Sequence, residues 1–459
     1  MSERLLFVTG RLAKPILESV LAGMAPPFAY EILDIGVKVA ALMTEPILMN
    51  RLPRPLPANR VVLPGRCRAD LDRLAQAFGA AFERGPDEVK DLPAYFGKGG
   101  GPPDLAGHAL RIFAEIVDAS ALSLDALGAR AAGLRHAGAD VIDLGCLPDT
   151  TFPHLEVAVQ RLKAEGCAVS VDSANPEELR RGAAAGADYL LSLTEHTLDL
   201  AGRARPVLIP ASHGDLDSLV RAYEQARALR PILDPILDPI HFGFSDSLAR
   251  YRELRARLPE AEMMMGTGNL TELTEADSAG VTAMLLGVCS ELRIANALTV
   301  QVSPHTRRTV EEHDAARRIM FAARRDHSLP KGYGRALLQV HDRAPFPNSS
   351  AEIAAAAAQV KDRNFRIEVA ADGVHVFNAL GHWVATDALA LFDKLAVEND
   401  GAHAFYLGAE LQKAEIAFRL GKRYAQDEPL DWGVAADRPA EDRTRLADAG
   451  HTLRAKAGS

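Results

Sequence analysis

The strongest constraint on this chain is an alternation in its middle third. Eight short apolar runs recur there, separated by stretches of helical pattern. The runs are Arg111–Asp118, Asp140–Gly145, Ala168–Ser173, Asp188–Leu193, Pro206–Ala211, Pro231–Asp234, Glu262–Gly268 and Leu298–Ser303. A strand that lies parallel to its predecessor needs a helical crossover between them, so repeated strand–helix units specify a parallel sheet. Eight such units close into a (β/α)8 barrel. Polar residues gather where the runs stop: Asp118, Asp143, Asp172, Asn269, then His305 with Arg307. The carboxyl ends of barrel strands converge on one mouth, so the pattern that sets the fold also locates a candidate active site.

The flanks read differently. Residues 1–102 form a small N-terminal α/β domain of Rossmann-like type, with strands at Leu5–Gly10, Tyr30–Gly36 and Arg60–Gly65 and helices at Lys14–Leu21 and Asp70–Phe82. The glycine turns of VTG and LPG can present backbone amides to an anion or serve as plain strand–helix turns. FGKGGGPPD (Phe96–Asp104) breaks any periodic element and marks a linker. The barrel occupies 103–328, its last helix at Thr309–Arg325. A C-terminal α/β domain covers 329–434: a hairpin over Phe365–Asn378 around an Asp-Gly turn, a segment His382–Asp387 leading into a helix Ala388–Leu395, a strand Ala402–Gly408 and a helix Ala409–Leu420. Residues 435–459 are charged and lack a core pattern, as a flexible tail does. The fold class is α/β, with a central barrel between two smaller domains.

Composition narrows the function. A net charge of −9 argues against general nucleic-acid binding. The four cysteines are scattered without CxxC spacing, as in a reducing compartment. No apolar run approaches the roughly 18 residues of a membrane span, and SERLLFVTG does not resemble a signal peptide. The expected location is cytoplasmic.

Each candidate site residue has a structural alternative. Asp143 ends VIDLG as a strand cap or a site residue. Asp172 ends VSVDS, where a carboxylate among apolar residues is costly unless paired or solvated in a cavity. Asp234-Pro235 and Asp238-Pro239 enforce turns, and one of the two aspartates serves as a cap, while His241 follows in the loop. MGTGNLTE brings Asn269 behind glycines that let backbone approach a ligand, although Thr271 and Glu272 can instead start a helix. Ser303, His305 and Arg307 beside a helix start suit a phosphate, the alternative being an arginine–carboxylate surface pair. Asp118, with Glu195 and His196, completes the ring, and Asp118 can hold Mg²⁺ against a pyrophosphate. Zinc-type ligand spacing is absent, so no structural metal is expected.

In this order the strand-end motifs resemble the pterin-binding TIM barrel of dihydropteroate synthases over about 111–320. IDLG is similar to the family's I-D-I-G, VSVDS to S-I-D-T, LDPIHFGF to D-P-G-I-G-F, and SPHTR to its R-V-H segment. Over the whole chain, LSLTEHT, GTGNLTELTEAD and QKAEIAFRLGKRYAQDEPLDWG resemble the dihydropteroate synthase-like proteins of archaea and methylotrophic bacteria associated with tetrahydromethanopterin biosynthesis. The resemblance implies a transferase that joins a 6-hydroxymethyl-dihydropterin diphosphate to a ribofuranosylaminobenzene phosphate, releasing diphosphate. It implies that Asp172 and Asp238 bind the pterin N–H edge, with Asp143, Ser192 and Asn269 beside it. Ser303, His305, Arg307 and Mg²⁺ at Asp118 would then take the leaving group, and a homodimer is plausible by the same likeness. The chain departs from the synthases after strand four (LSLT), after strand one (VDASALS) and at the strand-seven lysine, near which Asn269 stands. That asparagine also resembles the pterin-dependent C1 methyltransferases, which need a corrinoid or thiol acceptor. A non-catalytic pterin-binding or assembly subunit is the third reading.

Overall fold

The computed structural model describes residues 4–38, 40, 43–97, 102–147 and 150–437. Residues 98–101 of the expected linker and 438–459 of the expected tail lie outside the described residues. The chain divides into two compact units, one of residues 104–337 and one that joins 1–103 to 338–459.

In the second of these units, strands β1 (Arg4–Thr9), β2 (Ala29–Asp34), β3 (Arg60–Leu63) and β4 (Ala81–Arg84) form a parallel sheet in the order β2-β1-β3-β4. The helices are α1 (Lys14–Met24), α2 (Glu45–Arg51), α3 (Leu71–Phe78) and α4 (Leu92–Phe96). The helix expected over Asp70–Phe82 is shorter. The Asp70 side chain caps α3 by accepting from the Asp72 and Arg73 amides, and Gly79 ends it in the left-handed conformation. The chain then turns into β4, so Phe82 is a strand residue.

The barrel closes in the order β10-β11-β12-β5-β6-β7-β8-β9. Its strands are β5 (Arg111–Ile116), β6 (Val141–Gly145), β7 (Ala168–Asp172), β8 (Tyr189–Leu193), β9 (Arg205–Leu208), β10 (Ile232–Leu233), β11 (Glu262–Gly266) and β12 (Asn296–Val300). Around them run α5 (Leu124–Ala137), α6 (Leu155–Ala164), α7 (Pro176–Ala185), α8 (Leu216–Ala226), α9 (Phe244–Arg257), α10 (Gly268–Thr271), α11 (Ser278–Glu291) and α12 (Thr309–Arg325). Strand side chains alternate between two faces. One set, including Ile112, Ile142, Val169, Leu190 and Met263, packs under the helices. The other packs inside the barrel, where Phe113, Val141, Leu191, Val207, Ile232 and Met264 form a separate apolar layer. At the amino end of the strands Glu262 pairs with Arg111 and Arg205 and accepts from Asn296, a stabilising belt on the face opposite the mouth.

In the C-terminal segment, β13 (Arg366–Ala370), β14 (Gly373–Asn378) and β15 (Gly381–Ala385) make an antiparallel sheet. Helices α13 (Ser350–Ala357) and α14 (Gly401–Leu420) accompany it. Two expectations change here. Ala388–Lys394 is a 3₁₀ helix, and Ala402–Gly408 is the first part of α14 rather than a strand. The Asp400 side chain accepts from the His403 amide and starts the helix. Tyr406, Leu407, Glu410, Leu411 and Ala414 then fall on one buried helical face. Among the described residues no helix is long and apolar enough to cross a membrane.

Candidate active site at the barrel mouth

Two residues above the apolar layer, the inward positions change character. Phe113 is followed by Glu115, Val141 by Asp143, and Ile232 by Asp234, while Ala168 is followed by Ser170 and Asp172. Strand pairing sets Glu115 opposite Asp143 and Asp143 opposite Ser170, with Asp172 one inward position higher, opposite Gly145. The Asp143 side chain is fully buried. Its Oδ1 accepts from Ser170 Oγ at 2.5 Å, and its Oδ2 has no hydrogen-bond partner among the described residues. Asp172 Oδ1 accepts from Ser192 Oγ at 2.8 Å. Ser192 reaches inward because its backbone is left-handed, φ 64°, at a register irregularity between β8 and β9. For a serine that conformation costs about 1–2 kcal/mol, and it leaves Leu191 and Ser192 both directed to the interior.

Crowded carboxylates away from water hold protons more tightly. Burial pushes Glu115 up to about 7, with Asp172 adding to it. Burial raises Asp143 well above the usual range, and Asp172 and Glu115 reinforce the shift. Burial also raises Asp172, against the Ser192 hydrogen bond. Asp234 rises to about 6 through burial, although Tyr251 Oη and the Ile236 amide donate to it at 2.7 and 2.8 Å. The mouth therefore carries several carboxyl groups that hold their protons more tightly than solvated ones do.

The other candidates stand elsewhere. Asp238 is held by Arg250 at 2.6 Å and His213 at 3.0 Å, and these bonds outweigh its burial and keep it below the usual range. Of the two Asp-Pro aspartates, Asp234 is thus the one beside Asp172, and Asp238 anchors the loop. Asn269 is exposed and donates to the Leu237 carbonyl at 2.7 Å. Around Ser303, His305 and Arg307, Glu272 accepts from the Val302 amide at 2.8 Å, the Ser303 amide at 3.1 Å and Thr306 Oγ1 at 2.6 Å. Two amides that an anion would use therefore already face a carboxylate. His305 Nε2 lies 3.0 Å from the Thr271 carbonyl, and Arg307 is exposed with no ion pair among the described residues. Glu272 follows α10 and does not begin the next helix, which starts after Asp277. Glu195 makes a two-pronged ion pair with Arg221, and His241 is exposed.

Asp118 Oδ1 lies 3.9 Å from Arg130 and makes no hydrogen bond. Among the described residues no group of three or more His, Cys, Asp or Glu side chains could hold a metal ion. Asp118 offers a single carboxylate, which suits Mg²⁺ only where substrate phosphates supply further ligands.

The sequence reading missed Glu115 and used Asp234 only as a turn residue. The signal for both was present: each lies two residues beyond an apolar inward position, Phe113 or Ile232.

Fold and site together define a (β/α)8 barrel with an acidic, desolvated mouth. Residues 3–87 match the model of a family of unknown function, DUF6513. The chain is 28% identical over 365 residues to the uncharacterized protein MJ0107 of Methanocaldococcus jannaschii, covering 69% of each. Among solved structures it is similar to dihydropteroate synthase of Yersinia pestis, at 19% identity over 48% of this chain and 95% of that one, with a TM-score of 0.36. A dihydropteroate synthase of Xanthomonas albilineans in complex with 7,8-dihydropteroate is 23% identical over 50% of this chain and 96% of that one, TM-score 0.36.

Proposed function

We propose that the barrel mouth binds a dihydropterin and that the protein is a transferase. It joins 6-hydroxymethyl-dihydropterin diphosphate to the amine of a ribofuranosylaminobenzene phosphate, in tetrahydromethanopterin biosynthesis. One observation carries this reading: the Asp143 carboxyl oxygen that is buried without a donor, beside Asp172 and Glu115. A buried acceptor without a partner costs about 1–3 kcal/mol, and a ligand with adjacent N–H groups removes that cost. The 2-amino and ring N–H edge of a pterin offers such donors, and Asp172, held by Ser192, is oriented to receive them.

In the reaction the arylamine nitrogen attacks the pterin methylene, the C–O bond to diphosphate breaks, and the amine loses a proton. Carboxylates at the mouth stabilise the positive charge that develops on the pterin. Glu115, with a pKa of about 7, is matched to taking the amine proton at neutral pH. Mg²⁺, if bound by Asp118 and the substrate phosphates, would neutralise leaving-group charge. The exposed Arg307 would meet the same group. The test is diphosphate release from 6-hydroxymethyl-dihydropterin diphosphate with the arylamine phosphate. Wild type should release it and Asp172→Asn should be at least about 100-fold slower. Absence of release by the wild type contradicts the transferase reading.

A further inference from the structure

The unit that joins 1–103 to 338–459 has a cavity of its own, of about 690 Å³. That volume is within the range of small-molecule sites. One wall is the carboxyl edge of the parallel sheet, with Thr9 at the end of β1, Pro64 after β3 and Gly85 after β4. In the order β2-β1-β3-β4 the connections diverge between β1 and β3. Open parallel sheets bind ligands in the crevice at that switch point. Gly65 lets the loops after β3 and β4 close together, since a Cβ there would lie 2.6 Å from the Asp87 amide nitrogen. The opposite wall is Ile367–Val369 of β13 with Asn348 and Gln426.

The polar lining is unequal. Lys90 is tied to Glu352 at 2.7 Å and to the Pro347 carbonyl, and Arg66 to Glu428 at 2.7 Å. Gln426 has both ends occupied, accepting from the Ile367 amide and donating to the Phe365 carbonyl and Tyr406. Two carboxylates keep acceptor capacity. Glu368 accepts from Asn348 at 3.0 Å, and the Glu88 side chain makes no hydrogen bond among the described residues although it lines the cavity. Leu12 and Ile16, 53% and 47% exposed, line the same cavity with apolar surface.

We propose that this cavity is a second small-molecule site, for an aminated heteroaromatic ring whose paired N–H donors meet Glu88 and Glu368 while its faces rest on Leu12 and Ile16. A guanine-type edge, with a ring N–H beside an exocyclic amine, fits a carboxylate with two parallel hydrogen bonds. Glu88 is exposed where it lines the cavity, so its carboxylate is open to donors from a ligand. The site is independent of the barrel-mouth reading.

Titration calorimetry of the full-length protein with guanosine tests it. Wild type should bind guanosine, and adenosine, which lacks the paired donors, at least about 10-fold more weakly. Glu88→Gln should weaken guanosine about 10-fold or more, Ile16→Trp should abolish binding by filling the cavity, and Asp172→Asn in the barrel should leave it unchanged. No guanosine binding by the wild type, or equal binding by Glu88→Gln, overturns the proposal. Loss of binding in Asp172→Asn alone also overturns it, by assigning guanosine to the barrel.

Discussion

Glu115→Gln isolates the cost of a buried charge at the mouth, because glutamine keeps the shape and stays neutral. Burial and Asp172 move the Glu115 carboxyl from 4.5 to about 7. The folded protein therefore retains a proton that the unfolded chain releases. Stability linked to this group is complete below the unfolded value and is lost as pH rises through about 7. With those two values, retaining the proton costs the fold about 1 kcal/mol at pH 5 and about 3 kcal/mol at pH 8. The glutamine variant escapes this cost, so its advantage over wild type should grow by about 2 kcal/mol between pH 5 and pH 8, or about 30-fold in protection. Hydrogen exchange of the β5 and β6 amides reads the effect in the barrel alone, and intrinsic rates cancel when both proteins are compared at one pH. An equal difference at the two pH values would refute the linkage and return Glu115 to an ordinary solvated carboxylate.

Three further perturbations probe the scaffold of the site. Arg317 is buried and joins Asp140, Asp314 and the carbonyls of Leu110 and Gly138, so Arg317→Ala should destabilise the barrel by about 3–5 kcal/mol in denaturant unfolding; a loss below about 1 kcal/mol contradicts its role as the clamp between α12 and the strands. Gly145→Ala puts a Cβ 2.5 Å from Glu115 Oε1 and 3.1 Å from the Val117 backbone. It should displace Glu115, so infrared spectroscopy should find a carboxyl titrating near pH 7 in wild type and none in the variant, and an unchanged titration argues against the packing. Bonds from Thr306, Val302 and Ser303 outweigh burial and lower the Glu272 pKa. Its contribution is therefore present above the ordinary carboxylate range and lost as pH falls through the lowered value, so the protection factors of the Val302 and Ser303 amides should fall in acid for wild type and already be low at neutral pH for Glu272→Ala.

The barrel was legible because eight runs of apolar residues punctuated by helices admit few other topologies. The inward face of each run was harder to read. Barrel strands are buried on both sides, so Ile112 and Phe113 look alike in sequence, and the parity that makes Glu115 an interior residue emerges only from packing. Parity also fails at Ser192, where a left-handed residue turns an outward position inward. The repeated Asp-Pro obscured which aspartate ends the strand: β10 stops at Leu233, so Asp234 sits on its tip and Asp238 lies in the loop with Arg250. Ala402–Gly408 reads as an alternating strand until Asp400 is recognised as the cap of one long helix.

The most direct measurement is titration calorimetry with 6-hydroxymethylpterin, on wild type and Asp172→Asn, near pH 6.5 in two buffers of different ionisation heat. N–H donors favour the ionised form of the raised carboxyls at the mouth, so binding should release protons and should be weakened at least about 10-fold in the variant. Absence of binding by the wild type, or equal binding by both proteins, contradicts pterin recognition by the barrel-mouth carboxylates.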